Sequence, residues 1–414
     1  MHEQEPERGY APPGPAAAGS GGSPRMGRGD ASAQLRPDSP PGEPAFAGPQ
    51  RPAEEWDRPE RATPRSLTLV LAGGVLALAL LLVMLVPVPY AVQSPGPTVD
   101  TLGEHEGEPL IEVDGERTYP SDGELRLTTV SVAGGPGHPV AAFDVVAGWL
   151  DPNRLVLPVE AVFPEDATED ELDEQSTQQM TSSQTNATVA ALEELGHDVP
   201  MTLTVTGVAE NSPSRGVIEG GDVVTAVRPE GGDRVHVEAY SDLADVLAET
   251  APGTTVTVTV RRGGEDLALD VQTMASPQQD GSVLGVFLQP DVELPFQVEF
   301  DIEDIGGPSA GTMFALGIVD VLTPGDLTGG EHVAGTGTVD LAGRVGPIGG
   351  IQQKLVGARR DGADWFLAPA GNCDEVPGHV PDGLHVVRVA TLAEARTSVE
   401  AIGEGNGRSL PTCG

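Results

Sequence analysis

Lys354 is the only lysine in a chain of 414 residues whose other basic side chains, histidine aside, are all arginine. Arginine stays protonated at any accessible pH, whereas a lysine taken out of water can lose its proton and work as a base. A biased composition that left one surface lysine behind is the ordinary alternative, and the local pattern weighs against it. In VGPIGGIQQKLVGARRDGA, a helix over Ile351 to Arg360 puts Ile351, Lys354, Leu355 and Ala358 on one face, so the amine sits on the apolar stripe. Desolvation there disfavours the ammonium form and moves its pKa from about 10.4 towards roughly 7 to 8, the range that suits a general base.

Such a base needs a nucleophile. Upstream by 45 residues, Gly306, Gly307 and Pro308 precede Ser309, and an apolar helical pattern follows through Ala310, Met313, Phe314 and Gly317. Ser309 is therefore expected at a helix N-terminus, where unpaired backbone N–H groups and the positive end of the helix dipole can stabilise an oxyanion. Gly307 and Ala310 are expected to support it, the glycine by allowing close backbone approach. A plain serine N-cap is the commoner meaning of such a residue by itself. The pairing with Lys354 is what sharpens the reading.

GGPSAG followed by GTGTVDLAGRVGPIGGIQQKLVGA resembles the proteolytic domain of the Lon family, over about Val283 to Ile402. With an apolar anchor and a PDZ-like segment, the chain as a whole resembles the bacterial membrane-bound Lon-like PDZ proteases. The resemblance implies a Ser-Lys dyad with Ser309 as nucleophile and Lys354 as base, Thr336 touching the lysine, and assembly into a homo-oligomeric ring. ATP-dependent Lon enzymes usually carry an Asp two residues before the Pro of PSAG; here that position is Gly306, and the usual histidines are missing from Gln297 to Glu303. The implied reaction is acyl transfer on protein or peptide substrates, with no cofactor.

The composition excludes other classes. A phosphate-binding loop of the form GxxxxGK[ST] needs a lysine, and the only one here follows Ile-Gln-Gln, so this chain carries no Walker A ATPase. Eight scattered histidines, no HExxH and two cysteines 40 residues apart give no metal site. Beyond Val86 the chain holds 53 acidic and 15 basic residues, which argues against nucleic acid as a partner.

The elements that must carry this chemistry follow a readable order, and the expected class is α+β. Residues 1–65, rich in Pro, Gly, Ala and Ser, are expected to be a disordered tail. Residues 66–86 form an uncharged run of 21, long enough to span a bilayer. Arg51, Arg58, Arg61 and Arg65 precede it, so the positive-inside rule predicts a single pass through the cell membrane with a cytoplasmic N-terminus and an extracytoplasmic catalytic region. Cys373 and Cys413 would then lie outside, where a disulfide can pin the C-terminal tail, 404–414.

Residues 200–276 alternate short strands and turns around SPSRGVIEGGDVVTAV, with a helix expected from Ser241 to Glu249 capped by Ser241; this ordering resembles a PDZ domain. Peptide would add as a strand beside Met201 to Thr206, against the helix face carrying Leu243 and Leu247, so Met201, Leu203, Leu243 and Leu247 are the candidate groove residues. Plain core packing is their ordinary alternative. Residues 87–199, with the strand GELRLTTVSV and a helical stretch through STQQMTSSQTNATVAALEELG, are expected to be the first part of a protease domain completed by 283–403. The leading function is an ATP-independent, membrane-anchored serine endopeptidase; the alternative is a catalytically inactive scaffold at the cell envelope.

Overall fold

The computed structural model describes residues 64–413 apart from residues 106, 165–166, 277–280 and 303–304. All but the last two residues of the expected tail, together with Arg51, Arg58 and Arg61, lie outside the described residues. Helix α1, Pro64–Met84, buries no residue and is long and apolar enough to cross a membrane. It stops two residues before the expected end because Val86 precedes Pro87, and a residue before proline is pushed out of the helical region.

The principal elements that follow are β1 (Pro87–Val88), β2 (Tyr90–Asp100), β3 (Glu124–Ala133), β4 (Val140–Ala141), α2 (Ala142–Leu150), β5 (Leu155–Pro158) and the long helix α3 (Glu169–Glu194). Thr168 and Glu171 start α3 reciprocally: the threonine hydroxyl accepts the Glu171 N–H, and the glutamate carboxylate accepts the Thr168 N–H. A β-rich stretch comes next, with β6 (Met201–Val208), β7 (Val223–Pro229), α4 (Tyr240–Glu249), β8 (Thr255–Arg262), β9 (Glu265–Gln272) and β10 (Val286–Val292). The chain then runs through α5 (Gly311–Leu322), β11 (His332–Gly335), α6 (Ile351–Arg360), β12 (Trp365–Pro369), β13 (His385–Val389) and α7 (Leu392–Gly403).

Among the described residues one sheet has the order β13-β12-β11-β3-β2-β5. Its first four strands are parallel, and β2 and β5 extend it antiparallel. Strands β2, β3 and β5 come before the β-rich stretch in the chain and β11 to β13 come after it, so a single sheet is assembled from both flanks. Every residue of α5 from Gly311 to Asp320 is buried, packed with α3 and α7 against Leu125, Leu127 and Val333 of the sheet. The apolar stripe of α6 covers the sheet's other face, with Ile351, Leu355 and Ala358 against Ala334, Phe366 and Ala368.

The β-rich stretch forms its own antiparallel sheet in the order β9-β8-β7-β6-β10. In MTLTVTGV the side chains of Met201, Leu203 and Val205 point inward and Thr202 and Thr206 outward, as the two-residue period of a strand requires. Its core also takes in Val189 and Leu192 from α3. Strand β10 lies outside the expected 200–276 span, and residue 283 falls just before it, because β10 pairs with β6 at a register that sets Leu288 against Val205. Helix α4 begins at Tyr240 rather than being capped by Ser241; the Asp242 carboxylate instead accepts the N–H groups of Glu238 and Ala239. The C-terminal segment is tied down, since Cys413 is disulfide-bonded to Cys373 and Thr412 bridges Val387.

This topology makes a direct prediction about the fragment 280–404. Without β3 it leaves an edge of β11 unpaired and removes Leu125, Leu127, Ala187 and Ala190 from the core around α5. Expressed alone, it should give the circular dichroism of an unfolded chain; a cooperatively melting fragment would contradict the two-flank sheet.

Candidate active site

Three elements bring the candidate residues together. Gly307, at φ +84°, takes a backbone conformation that a side chain would strain and turns the chain into the loop carrying Ser309. The N-cap position of α5 belongs to Ala310, with no side-chain capping bond, so the Ser309 hydroxyl is not used as a cap. Gly350, at φ +71°, opens α6 and places Lys354 one turn in. Thr336 follows the last residue of β11 and is fully buried.

Lys354 Nζ lies 2.7 Å from Ser309 Oγ and 2.8 Å from Thr336 Oγ1. The Thr336 hydroxyl donates to the Ser309 carbonyl at 3.0 Å. Because its single proton is committed there, Thr336 can only accept from Lys354. A neutral amine has two N–H bonds and one lone pair; with one N–H held by Thr336, the lone pair is free to accept the Ser309 hydroxyl proton. Lys354 is only 2% exposed, and burial alone pulls its pKa down to about 7. No carboxylate among the described residues pairs with it to hold the charged form.

The cleft beside these groups has a volume of about 440 Å³ and is lined by Thr129, Val130, Ser131, Ile305, Pro308 and Gly349, with Ser309 and Lys354 at its wall. Strand β3 pairs with β11 only as far as Leu127, so among the described residues Thr129 to Val132 have no strand partner on that side, and Thr129 to Ser131 line the cleft. Among the described residues the N–H groups of Ser309 and Ala310 donate to nothing, whereas the Gly307 N–H is engaged by Ser176 O at 3.3 Å. The two free donors next to Ser309 can hold a developing oxyanion; Gly307 shapes the turn instead.

Sequence reading missed the support from α3. Ser183 Oγ donates to Pro308 O at 3.1 Å, and Asn186 Nδ2 donates to Val339 O at 3.3 Å, so this helix grips both loops that frame the serine. The signal present in the sequence is a run of Ser, Thr and Asn in one helix; some of its hydroxyls, such as those of Thr181 and Thr185, bond back to the helix's own carbonyls, and Ser183 and Asn186 are the two that reach across to neighbouring segments.

The candidate groove residues require correction. Met201, Leu203, Leu243 and Leu247 are buried in the core of the β-rich module. Strand β6, on which the first two lie, is hydrogen-bonded on one side to β7 and on the other to β10, so it has no edge to offer a peptide. The edge belongs to β10, where Phe287 is exposed and, with Leu288, Tyr240 and Thr185, lines a cavity of about 680 Å³ reaching α3.

Comparison with known proteins adds the family context. Residues 303–399 match the family profile described as the Lon protease (S16) C-terminal proteolytic domain, and residues 177–273 match the PDZ domain. The chain is 32% identical over 184 residues to the Lon protease of Helicobacter pylori strain J99, covering 40% of this chain and 22% of that protein. It is 28% identical over 196 residues to Lon protease 1 of Bacillus subtilis, covering 45% and 23%. It thus spans about a fifth of the length of these relatives. Among solved structures, the PDZ domain of an SdrC-like protein from Listeria monocytogenes aligns at 20% identity and TM-score 0.19, covering 21% of this chain and 85% of that one.

The buried amine carries a stability signature. Between about pH 7 and the unfolded value near 10.4 the unfolded chain holds one proton more than the folded chain, so folding stability rises with pH across that window. Lys354→Met keeps the length and removes the charge. It should be more stable than the parent at pH 7 by about 1–3 kcal/mol in denaturant melts, with the gap closing towards pH 10. An equally stable or weaker variant at pH 7 would mean the amine is not desolvated.

The folded body thus carries a Lon protease C-terminal proteolytic domain, in which Ser309, Thr336 and Lys354 meet, and a PDZ domain ahead of it in the chain.

Proposed function

We propose that this chain is a membrane-anchored serine endopeptidase that cleaves protein or peptide substrates with Ser309 as nucleophile and Lys354 as general base. The observation that carries the reading is the 2.7 Å contact between a lysine amine without a counter-ion and a serine hydroxyl. An extended substrate adds to the unpaired edge of β3 at Thr129 to Val132, which presents its carbonyl carbon to Ser309 Oγ. Neutral Lys354 accepts the hydroxyl proton as the C–O bond forms, and the N–H groups of Ser309 and Ala310 receive the oxyanion. The resulting ammonium passes its proton to the leaving amine. A water, deprotonated by the same amine, then releases the acyl group and regenerates Ser309.

The chain contains no GxxxxGK[ST] segment, so hydrolysis is not coupled to ATP within it. Helix α1 anchors it to the cell membrane with the catalytic region outside, and copies assemble as a homo-oligomer. The PDZ module captures unfolded segments along the free edge of β10. Helix α3 connects that edge to the Ser309 loop, with Thr185 at the β10 cavity and Ser183 at Pro308. A catalytically inactive scaffold would not need to keep an amine buried and unpaired.

The test is cleavage of an unfolded protein by the purified chain without ATP. Ser309→Ala should remove turnover while leaving the fold intact, and Lys354→Arg should do the same, because a guanidinium cannot accept the serine proton. Turnover that survives either substitution would end the dyad reading. The pH profile follows from the base: kcat/KM should fall about tenfold per unit below pH 7 and level off above it, since only neutral Lys354 accepts a proton. A profile flat from pH 5 to 9 would exclude this base.

The groove reading has its own measurement. Phe287→Ala should raise KM for an unfolded protein several-fold, about 1 kcal/mol, and leave kcat/KM for a short peptide unchanged. Equal KM values in the two proteins would remove β10 from substrate capture.

A further inference from the structure

Helix α2 is apolar on both sides. Its inner side is accounted for: Val145 is buried in one cluster with Val92 and Val140, Val156 packs against that cluster, and Gly148 lies so close to Val156 that a Cβ there would come within 2.7 Å of it. The outer side consists of Phe143, Val146, Trp149 and Leu150, spaced i, i+3, i+6 and i+7 on one helical face. Phe143 is 52%, Trp149 65% and Leu150 81% exposed. Tyr90 meets Trp149 edge-on, with ring centroids 6.3 Å apart. A helix whose whole outer face is apolar needs something to cover it.

The position of α2 in the chain says what does. Helix α1 ends at Met84, and three residues later β1 pairs with β4, setting Pro87 against Ala141 and Val88 against Val140. Helix α2 starts at the next residue, and its first N–H, on Ala142, donates to Val86 O at 3.0 Å. The apolar face is therefore fastened to the point where the chain leaves α1. A nine-residue helix is about 14 Å long, so it stays within reach of that point. Tryptophan and tyrosine, with an apolar body and a polar N–H or O–H, suit the boundary between acyl chains and headgroups. The α2 helix itself carries one charged residue, Asp144, whose carboxylate turns back to accept the Ala141 N–H.

We propose that α2 is a second membrane contact: it lies in the outer bilayer interface with Phe143, Val146, Trp149 and Leu150 inserted among the acyl chains. It thereby fixes the catalytic body against the lipid surface instead of leaving it to swing on the α1 tether. This rests on α1 being the anchor. The partner is the apolar part of a lipid surface, not an anionic headgroup, because the body outside α1 is strongly acidic and α2 presents no cation.

The experiment uses the full chain reconstituted in phosphatidylcholine vesicles whose acyl chains are brominated near the headgroup end in one preparation, to meet Trp149, and near the methyl end in another, to meet a side chain at mid-bilayer. The difference in emission between the parent and Trp149→Phe isolates Trp149, which is exposed and replaceable without disturbing the core. A second tryptophan, Leu76→Trp introduced into the Trp149→Phe chain, reports α1. The proposal expects bromolipid to quench Trp149 by roughly half or more, as for a side chain seated in the interface, and acrylamide to leave it largely untouched. If bromolipid quenches Leu76→Trp while acrylamide alone quenches Trp149, α2 faces water and the proposal is overturned. If Leu76→Trp is quenched and Trp149 is shielded from both agents, another copy of the chain covers the face, and the proposal is again overturned. Absence of quenching at Leu76→Trp removes the anchor reading itself, and this inference with it.

Discussion

The structure is organised around keeping one amine dry. An ammonium group taken out of water without a counter-ion is unfavourable, and the protein resolves this by giving up the proton rather than by supplying a carboxylate. That solution demands complete enclosure. Ile351, Leu355 and Ala358 press α6 onto the sheet and leave Lys354 only 2% exposed, Thr336 occupies one N–H, and the Ser309 hydroxyl is left as the partner on the cleft side. Each of these positions is set by a separate piece of chain, so the amine's environment exists only when α5, β11 and α6 are all in place. The chemistry and the folding of the catalytic sheet are for this reason hard to separate.

Helix α3 extends that dependence to the PDZ module. Its C-terminal half contributes Ala187, Ala190 and Ala191 to the core around α5, while Val189 and Leu192, on another side of the same turns, belong to the core of the β-rich sheet. One rigid element is thus shared by two cores, with small residues where α5 approaches and larger ones where the second sheet packs. Its polar residues Ser183 and Asn186 hold the loops framing Ser309. A displacement of α3 at the β10 end cannot be absorbed by a flexible linker, because the helix is continuous from Glu169 to Glu194.

What could be read from the sequence follows from where the information lies. The helix at Ile351 to Arg360 and the apolar stripe beneath Lys354 were legible because a 3.6-residue period is local. So was the alternation in MTLTVTGV that marks β6. The groove was not, because which strand forms an edge depends on a partner far along the chain: β10 takes up β6 from more than 70 residues away. Alternation identifies the buried face of a strand but not its hydrogen-bonding neighbours, and Met201 and Leu203 were read as groove residues for that reason. The helix start at Tyr240 is hidden from the sequence for a different reason. Asp242, at the third position, satisfies two N–H groups, so an alanine can stand at the cap.

The charge of the chain makes the burial of Lys354 a requirement. C-terminal to the candidate anchor the acidic residues outnumber the basic ones by 53 to 15, and a field of that sign favours protonation of any lysine within its range. Left near the surface, Lys354 would keep its proton at neutral pH and could not act as a base. Solvent and salt screen distant surface carboxylates over about 8–10 Å, but they do not screen one placed in the pocket. Ala310, Gly349 and Gly306 at the cleft wall carry no charge, and among the described residues lining the cleft there is no carboxylate. Gly306 adds no charge to that wall, and in so acidic a body desolvation lowers the lysine pKa because no carboxylate among the described residues stands beside the amine.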